Sequence, residues 1–392
     1  MAHFGDLANE IYSGGLTGQR PELPMTADEL ELAAREVLPA EAFSYVAGGA
    51  STERTIAANR AAFTRWRIVP RMLRGVSARD LSTTILGTPM TAPVLTAPVG
   101  VLGLVHPDAD LAVTRAAAAL GLTSVLSTAS STALEDVAAA APDAARWFQL
   151  YWPRDPELAE SLVRRAEAAG YQAIVLTVDT WSLGWRPRDL ALAQLPFLQA
   201  KGIANYLSDP VFRARLDAPP EESAQGMQRA VSAWAEVFGN PALSWSDLAL
   251  LRQWTRLPVL IKGICHPDDA RTALDHGVDA LVVSNHGGRQ VDGARAALDC
   301  LPDVVAAVDG RAPVLVDSGI RCGADVLIAL ALGAQAVLLG RPWVYGLGLA
   351  GQRGVTHVLR TLLGDFDLTL ALAGYASPAE LGAHSVVRDV IG

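Results

Sequence analysis

The stretch Pro313-Val314-Leu315-Val316-Asp317 is a short apolar run that ends in a carboxylate. Seven comparable runs occur in the chain, and each is followed by a helical stretch; they are Ala92–Pro98, Thr123–Ser127, Arg146–Tyr151, Ala173–Asp179, Pro258–Gly263, Ala280–Asn285 and Ala336–Gly340. Nearly unbroken runs of Val, Leu and Ile are typical of strands buried on both faces, as in a parallel sheet. The alternation of strand and helix predicts an α/β protein.

Eight strand–helix units in succession favour a closed (β/α)8 TIM barrel, with an open doubly wound sheet as the alternative. Alanine-rich segments predict helices at Asp110–Leu120, Pro156–Ala169, Pro267–His276 and Gly323–Leu332. A glycine follows each helix, as at a C-terminal cap: Gly121, Gly170, Gly277 and Gly333. No G-x-G-x-x-G motif follows the first strand, which argues against a dinucleotide-binding Rossmann unit.

Two segments lie outside this repeat. We expect residues 1–90 to form an N-terminal helical extension that packs on the barrel, with a clear helix near Thr26–Val37. We expect residues 91–392 to form the barrel itself. The connection at about residues 180–257 is several times longer than an ordinary barrel loop of roughly 2–6 residues. Such excursions commonly cover an active site, so we expect a lid; a solvated surface insertion is the alternative.

The composition excludes several classes of protein. Lys and Arg number 32 against 41 Asp and Glu, and the net charge of −9 argues against a nucleic-acid binder. At 51% hydrophobic, the chain is too apolar for general disorder. Three scattered cysteines predict no disulfide framework and no metal site. We expect no signal peptide, no membrane partner and a cytoplasmic location, because the most apolar stretch, 326–339, is shorter than a span of roughly 20 residues.

Active sites of barrel enzymes lie at the C-terminal ends of the strands. Polar, ionisable and conformationally special residues stand at or just after each predicted strand end: Pro98, Val99 and Gly100; Ser127; Gln149 and Tyr151; Thr177 and Asp179; Lys262; Ser284, His286 and Arg289; Asp317, Ser318, Gly319 and Arg321; Gly340 and Arg341. A ring of such residues at one end of apolar strands is hard to explain by packing. It is the candidate site.

The last two strand ends predict a phosphate site. Gly319 and Gly340 allow backbone N–H groups to approach an anion, and Arg321 and Arg341 carry bidentate donors for phosphate oxygens. We therefore expect a phosphorylated cofactor or substrate. Two surface arginines after glycine turns are the alternative.

Lys262 and His286 are the candidate reactive groups. A lysine that ends a buried strand either forms a Schiff base or stabilises anionic charge on a bound ring, and the residues alone leave both open. His286 is three residues from Arg289, which suits a general base acting on an anionic substrate, and Asp179 could orient its imidazole. Arg186 could join Arg289 in holding a carboxylate; a surface salt bridge to Asp189 is the alternative.

These residues resemble the FMN-dependent α-hydroxy-acid oxidising family, which includes glycolate oxidase, lactate oxidase, lactate 2-monooxygenase and flavocytochrome lactate dehydrogenases. The most specific signature is Ser284-Asn285-His286-Gly287-Gly288-Arg289-Gln290, supported by Leu176-Thr177-Val178-Asp179-Thr180 and Gly340-Arg341-Pro342. Ser44-Tyr45-Val46-Ala47-Gly48-Gly49 and Gly184-Trp185-Arg186-Pro187-Arg188-Asp189-Leu190 are most similar to the lactate 2-monooxygenase branch.

The resemblance implies a role for each residue. It makes His286 the base, paired with Asp179, and it places Lys262 beside the flavin ring. It assigns the substrate carboxylate to Tyr45, Arg186 and Arg289, and the substrate hydroxyl to Tyr151. The residues that it places in contact with the flavin ring or ribityl chain are Pro98, Val99, Gly100, Ser127, Gln149, Thr177 and Ser284. Those that it assigns to binding the ribityl–phosphate tail are Asp317, Ser318, Gly319, Arg321, Gly340 and Arg341.

Three positions depart from the commoner family pattern. Gly100 replaces an alanine, which we expect to enlarge the space beside the flavin, and the lactate 2-monooxygenase branch shares this glycine. Ala129 replaces a larger side chain, often Trp or Leu, so a wall could be withdrawn and a substrate bulkier than lactate admitted. Ser318 replaces a glycine, with little expected effect because it adds a donor near the ribityl chain.

The expected function is FMN-dependent oxidation of a small L-2-hydroxy acid by O2, as in lactate 2-monooxygenase, which forms acetate, CO2 and water. The alternatives are an oxidase that releases the 2-keto acid and hydrogen peroxide, and an FMN dehydrogenase with another acceptor. A Schiff-base aldolase and a non-enzymatic flavin-binding protein are more distant rivals. The family also suggests a homo-tetramer or homo-octamer.

Overall fold

The computed structural model describes residues 3–389. Eight of its strands form a closed parallel barrel, which confirms the predicted fold class. The strands, in chain order, are β1 (Trp66–Ile68), β2 (Thr83–Ile85), β3 (Thr88–Met90), β4 (Val94–Thr96), β5 (Thr123–Ser127), β6 (Arg146–Leu150), β7 (Ile174–Thr177), β8 (Val259–Ile264), β9 (Ala280–Val283), β10 (Val314–Val316), β11 (Ala336–Leu339) and β12 (Val386–Arg388).

The barrel consists of β4 to β11 in sequence order, and pairing of β11 with β4 closes it. Every predicted strand is present, in most cases slightly shorter than the apolar run that predicted it. The one irregularity is a register shift in β8 between Lys262 and Ile264, where Gly263 adopts a φ of +114°. A side chain at Gly263 would meet the Cβ of Asp179 at 2.9 Å. This bulge therefore lets the end of β7 approach β8 closely.

The helices, in chain order, are α1 (Asp6–Gly15), α2 (Ala27–Val37), α3 (Ala40–Ala47), α4 (Arg54–Thr64), α5 (Ala109–Ala119), α6 (Leu134–Ala140), α7 (Pro156–Ala168), α8 (Pro187–Ala191), α9 (Ala204–Leu207), α10 (Pro210–Arg213), α11 (Ala224–Val237), α12 (Leu248–Trp254), α13 (Pro267–Asp275), α14 (Ala297–Val308), α15 (Gly323–Ala331) and α16 (Arg341–Leu372). The four predicted barrel helices are confirmed to within one residue. Their following glycines all have positive φ, between 65° and 102°. None of the helices within residues 3–389 is long and apolar enough to cross a membrane.

Apolar side chains fill the barrel interior and leave its C-terminal mouth as the place for a ligand. Leu95, Val125, Trp147, Val175, Leu260, Val282, Leu315 and Leu338 form this inner core, together with Ile85 and Met90. The last two come from the β2–β3 hairpin, and the Trp147 indole donates to Thr88 Oγ1 of the same hairpin at 3.2 Å. The hairpin therefore packs on the inner core.

The N-terminal segment contacts both the end of the chain and the mouth of the barrel. Strand β1 pairs antiparallel with β12. Asn59 on α4 exchanges two hydrogen bonds with Asn285, at 2.9 and 2.7 Å, just before His286. The boundary near residue 90 stays a prediction.

The insertion after β7 carries the helices α8 to α12 and lies on the barrel. Its Asn205 is fully buried; its Oδ1 accepts from Leu134 N at 2.9 Å, and its Nδ2 contacts the carbonyl of Thr128 at 3.1 Å and Ser130 Oγ at 2.9 Å. Further along the insertion, the carbonyl oxygen of Gly239 accepts from Nε of Arg154, a residue that follows β6, at 2.8 Å. The predicted alternative of a solvated surface insertion does not describe this packing.

A buried ion pair holds the first residues against α16. Asp367 is fully buried and accepts from Arg79 Nε at 2.5 Å and from Gly5 N at 2.7 Å. We expect Asp367→Ala to lower the free energy of unfolding by about 3–5 kcal/mol, because it leaves a largely buried guanidinium unpaired. Chemical denaturation measures this change. The matched control is Asp268→Ala, whose exposed partner is Arg271, and it should cost less than about 1 kcal/mol. Equal losses in the two variants would contradict this account.

Candidate active site

A cavity opens at the C-terminal mouth of the barrel. The predicted site residues that line it are Tyr45, Pro98, Val99, Gly100, Tyr151, Arg186, Lys262, His286, Arg289, Asp317, Ser318, Gly319, Arg321, Gly340 and Arg341. The remaining predicted residues, Ser127, Gln149, Thr177, Asp179 and Ser284, do not line the cavity; they are buried or half-buried at the strand ends. The topology thus gathers residues from all eight strand ends, the N-terminal segment and the insertion.

His286 lies beside Asp179 and Thr180. The imidazole Nδ1 is 2.8 Å from Asp179 Oδ1 and 2.9 Å from Thr180 Oγ1, and the threonine hydroxyl donates to the same carboxylate oxygen at 2.8 Å. A carboxylate can only accept, so Nδ1 carries the proton and Nε2 is left as the free base. Thr180 was missed by the sequence reasoning, although it directly follows Asp179.

The electrostatics keep this imidazole neutral and the carboxylate charged. Burial lowers the pKa of His286, which outweighs the opposing effect of Asp179. Burial alone would raise the pKa of Asp179, but His286 and Lys262 hold it at about 2. A neutral imidazole next to a permanent carboxylate can take up a proton and be stabilised as the imidazolium.

Lys262 is a buried ammonium between two carboxylates. Its Nζ lies 3.3 Å from Asp317 Oδ2 and 3.9 Å from Asp179 Oδ2, and it donates to Ser284 Oγ at 3.0 Å. Burial opposes the charge, yet Asp317 and Asp179 raise the pKa of Lys262 above its usual value. A permanently charged lysine is not a nucleophile, so this geometry disfavours the Schiff-base alternative.

Arg186 and Arg289 form a cationic pair without a carboxylate partner in the described part of the chain. Arg289 donates through Nη1 to the carbonyls of Tyr45 and Gly48 at 2.6 and 2.7 Å, and its guanidinium lies 5.1 Å from the centre of the Tyr45 ring. Arg186 is 7% exposed, and the alternative salt bridge to Asp189 is not formed. Burial, followed by the charge of Arg186, lowers the pKa of Arg289. A bound anion would relieve this repulsion.

Arg321 and Arg341 make a second cationic region at the ends of β10 and β11. Arg341 donates to the carbonyls of Val46, Gly287 and Gly48 at 3.1, 2.9 and 3.0 Å, so only part of its donor capacity is open to a ligand. Burial, followed by the charge of Arg341, lowers the pKa of Arg321 to about 10. Helix α16 begins at Arg341 and adds its N-terminal dipole, which favours a phosphate.

Ser318 behaves differently from the expectation. It adopts a φ of +73°, a region that favours glycine, and its hydroxyl donates to Asp317 Oδ1 at 2.7 Å and accepts from Gly287 N at 3.0 Å. The hydroxyl is therefore not a free donor near a ribityl chain. It joins the loops after β9 and β10, which offsets the backbone strain of about 1–2 kcal/mol.

Gly100 also departs from the expectation. A Cβ at this position would lie 2.7 Å from the Cβ of Ala129 and 2.9 Å from its carbonyl oxygen. The prediction that Gly100 enlarges the space beside the flavin is wrong, because the loop that carries Gly100 packs directly against the loop that carries Ala129. The insertion adds Leu183, Phe197 and Phe238 to the lining of the cavity, and these were missed because no local motif marks them.

Two buried polar groups at the strand ends beside the cavity are candidates for contact with a flavin ring. Gln149 Nε2 and Thr177 Oγ1 have no hydrogen-bond partner within residues 3–389. Thr177 lies beside Lys262 in the register of β7 and β8, and Gln149 beside Ser127 in that of β5 and β6. A ring edge with carbonyl and imide groups would satisfy them, and the Arg321–Arg341 region would hold a single phosphate.

The chain resembles known proteins over most of its length. The profile described as FMN-dependent dehydrogenase matches residues 34–388. The chain belongs to the FMN-dependent dehydrogenase family. Its sequence is 45% identical to an L-lactate oxidase of Lysinibacillus sphaericus over 95% of each chain. It is 42% identical to 2-hydroxyacid oxidase 1 of Homo sapiens over 88% of this chain and 92% of the human protein.

A solved structure of mandelate oxidase superposes with a TM-score of 0.80 at 42% identity, and the match covers 91% of this chain and 96% of that one. This member of the FMN-dependent dehydrogenase family therefore uses FMN as its cofactor, and it is an oxidoreductase.

Arg321 provides a test of the phosphate region. We expect Arg321→Met to weaken FMN binding roughly 10- to 100-fold, since a hydrogen bond to a charged group is worth about 1.5–3 kcal/mol. Fluorescence titration of the apoprotein measures the affinity. Riboflavin, which has no phosphate, should bind the variant and the parent equally. Arg353→Met is the control because Arg353 is 77% exposed and pairs with Glu22. Unchanged FMN affinity in Arg321→Met would remove this arginine from the cofactor site.

Proposed function

We propose that the protein oxidises a small L-2-hydroxy acid with O2 and keeps the 2-keto acid in the closed site, as a lactate 2-monooxygenase does. Relatives named L-lactate oxidase and 2-hydroxyacid oxidase support the substrate class. The observation that carries the proposal is the extensive anchoring of the insertion beside the cavity. A cover held by buried hydrogen bonds opens slowly, and slow opening favours further reaction of a trapped product.

The mouth offers one site for the substrate carboxylate and one for its hydroxyl. Arg186, Arg289 and Tyr45 line the part of the cavity where a carboxylate would lie between two cations. The Tyr151 hydroxyl lines the same cavity, and burial raises its pKa to about 12, so it remains a hydrogen-bond donor. This arrangement holds the substrate carbon near His286.

His286 is the proposed base. Its Nε2 accepts the proton that leaves the substrate, and the imidazolium is stabilised by Asp179, which is already charged. Lys262 contributes a fixed positive charge at the floor of the mouth. When FMN is bound at the mouth, it would supply the two-electron redox chemistry that links oxidation of the substrate to reduction of O2 to hydrogen peroxide. A 2-keto acid that is still present then reacts with this peroxide to give the shorter acid, CO2 and water.

The lining of the cavity supports a small substrate. Ala129 leaves room on one wall, but Phe197 from the insertion packs nearby, since the Cβ position of Gly202 lies 3.0 Å from Ala129 O and 3.1 Å from the Phe197 ring. Phe197 stacks on Trp234 at 4.7 Å between ring centres, and Trp234 stacks on Phe238 at the same distance. Phe197 and Phe238 line the same cavity as Ala129, and these bulky rings favour a substrate side chain near the size of a methyl group.

An oxidase that releases peroxide is the second candidate. It is favoured by the exposure of the first residues of the insertion, where Trp181 and Trp185 are 57% and 71% exposed. These exposed side chains do not hold the cover against the barrel as the buried Asn205 does. The homo-tetramer or homo-octamer and the cytoplasmic location remain predictions.

The products decide between these outcomes. With L-lactate and O2, we expect acetate and CO2 in amounts equal to the O2 consumed, and little free peroxide. NMR measures acetate and pyruvate, and a coupled peroxidase assay measures peroxide. Stoichiometric peroxide with intact pyruvate would establish the oxidase. Reduction of an artificial acceptor without consumption of O2 would establish a dehydrogenase.

The pH profile tests the base. Activity requires neutral His286, whose pKa is lowered by burial, so kcat/KM should hold to a pH below the usual imidazole value and fall only at more acidic pH. His286→Gln and Asp179→Asn should each reduce the anaerobic rate of flavin reduction by about 10²- to 10⁴-fold while FMN stays bound. His276→Gln, at an exposed histidine, is the control. A parental rate in His286→Gln would contradict the assignment.

A further inference from the structure

We propose that Gln290 is a positioning residue that sets the orientation of Arg186 and fastens the beginning of the insertion to the barrel. This inference rests on the proposed function only in taking Arg186 as the group that binds the substrate carboxylate. Gln290 follows Arg289 in the loop after β9, while Arg186 lies in the insertion after β7. The residue therefore joins two separate parts of the mouth.

All four hydrogen-bonding positions of the Gln290 amide are used. Its Oε1 accepts from Arg186 Nη2 at 2.9 Å and from Gly184 N at 3.2 Å. Its Nε2 donates to the carbonyls of Asp179 and Ser182 at 3.0 and 2.7 Å. An amide has two donors and two acceptor sites, so this side chain is fully satisfied.

The partners leave one orientation of the amide. Arg186 and Gly184 supply only donors, and the two carbonyls supply only acceptors, so exchange of the amide oxygen and nitrogen would break every one of these contacts. A side chain with one type of group, such as a carboxylate, cannot serve both sets. This requirement explains why an amide stands at position 290.

The backbone at Arg289 and Gln290 also lies close to the beginning of the insertion. Arg186 Nε donates to Arg289 O at 3.3 Å. A Cβ on Gly184 would lie 2.6 Å from Arg289 O and 2.8 Å from Gln290 O, so only glycine allows this approach. The beginning of the insertion is thus packed directly against the loop after β9.

The neutrality of Gln290 has a consequence for binding. Arg186 has no carboxylate partner among residues 3–389, and its charge is free for an anionic ligand. Glutamate at position 290 would neutralise that charge and compete with the substrate carboxylate. An amide orients the guanidinium and leaves its charge available.

Two substitutions test the proposal. Gln290→Met has a similar volume but removes all four hydrogen bonds, and Gln290→Glu keeps an acceptor for Arg186 but adds a negative charge. We expect both to raise the Kd of pyruvate, read from the visible spectrum of the flavin, and the KM of L-lactate by roughly 10- to 100-fold. The kcat of Gln290→Met should stay within about threefold, because this substitution removes no side-chain contact between His286 and Asp179.

A second measurement does not depend on turnover or on the cofactor. Hydrogen–deuterium exchange of apoprotein peptides that cover residues 180–190 should be faster in Gln290→Met than in the parent. Gln228→Met, an exposed glutamine on α11 of the same insertion, is the matched control and should leave the exchange, the Kd and the KM unchanged.

These readings separate failure of this proposal from failure of the proposed function. Unchanged Kd, KM and exchange in Gln290→Met would overturn the positioning role, whatever the products. A lower kcat at parental KM would also overturn it. If the parent released peroxide or required another acceptor, KM could still be measured with that acceptor, and the role of Gln290 would be decided as before.

Discussion

The mouth of the barrel carries buried positive charge that the protein itself does not neutralise. Arg186, Arg289, Arg321 and Arg341 lack carboxylate partners in the described chain, whereas Lys262 is paired with Asp179 and Asp317. Unpaired buried charge is costly, so the folded protein is arranged to receive anions. Two such regions in one cavity are the sites that we propose for the phosphate of FMN and for the carboxylate of an acid.

Much of this architecture could be predicted from the residues alone. Buried strands such as Val314–Val316 have a strong apolar signal, and helix ends are marked by glycines such as Gly121 and Gly170. Because parallel strands all point to one end of a closed barrel, residues after the strands had to meet. The ring of His286, Lys262 and their neighbours followed from topology, without knowledge of any distance.

The features of the site that could not be predicted depend on contacts between segments that are far apart in sequence. The approach of Gly100 to Ala129 and the arrival of Phe197 at the same wall are set by how three loops pack, which no local pattern records. Ser318 appeared to offer a donor to a ligand, but its hydroxyl is taken up by Asp317 and Gly287. Sequence spacing gives the position of a side chain along an element, not the partners that compete for it.

The antiparallel pairing of β1 with β12 constrains the order in which the protein folds during its synthesis. Its paired residues, such as Ile68 and Val386, are separated in sequence by all eight barrel strands. Since the ribosome releases the chain from the N-terminus onward, β1 must wait until the barrel strands have been synthesised before its partner emerges. The nascent N-terminal segment, which also carries Tyr45 and Asn59, therefore reaches its final position only after all eight barrel strands have been synthesised.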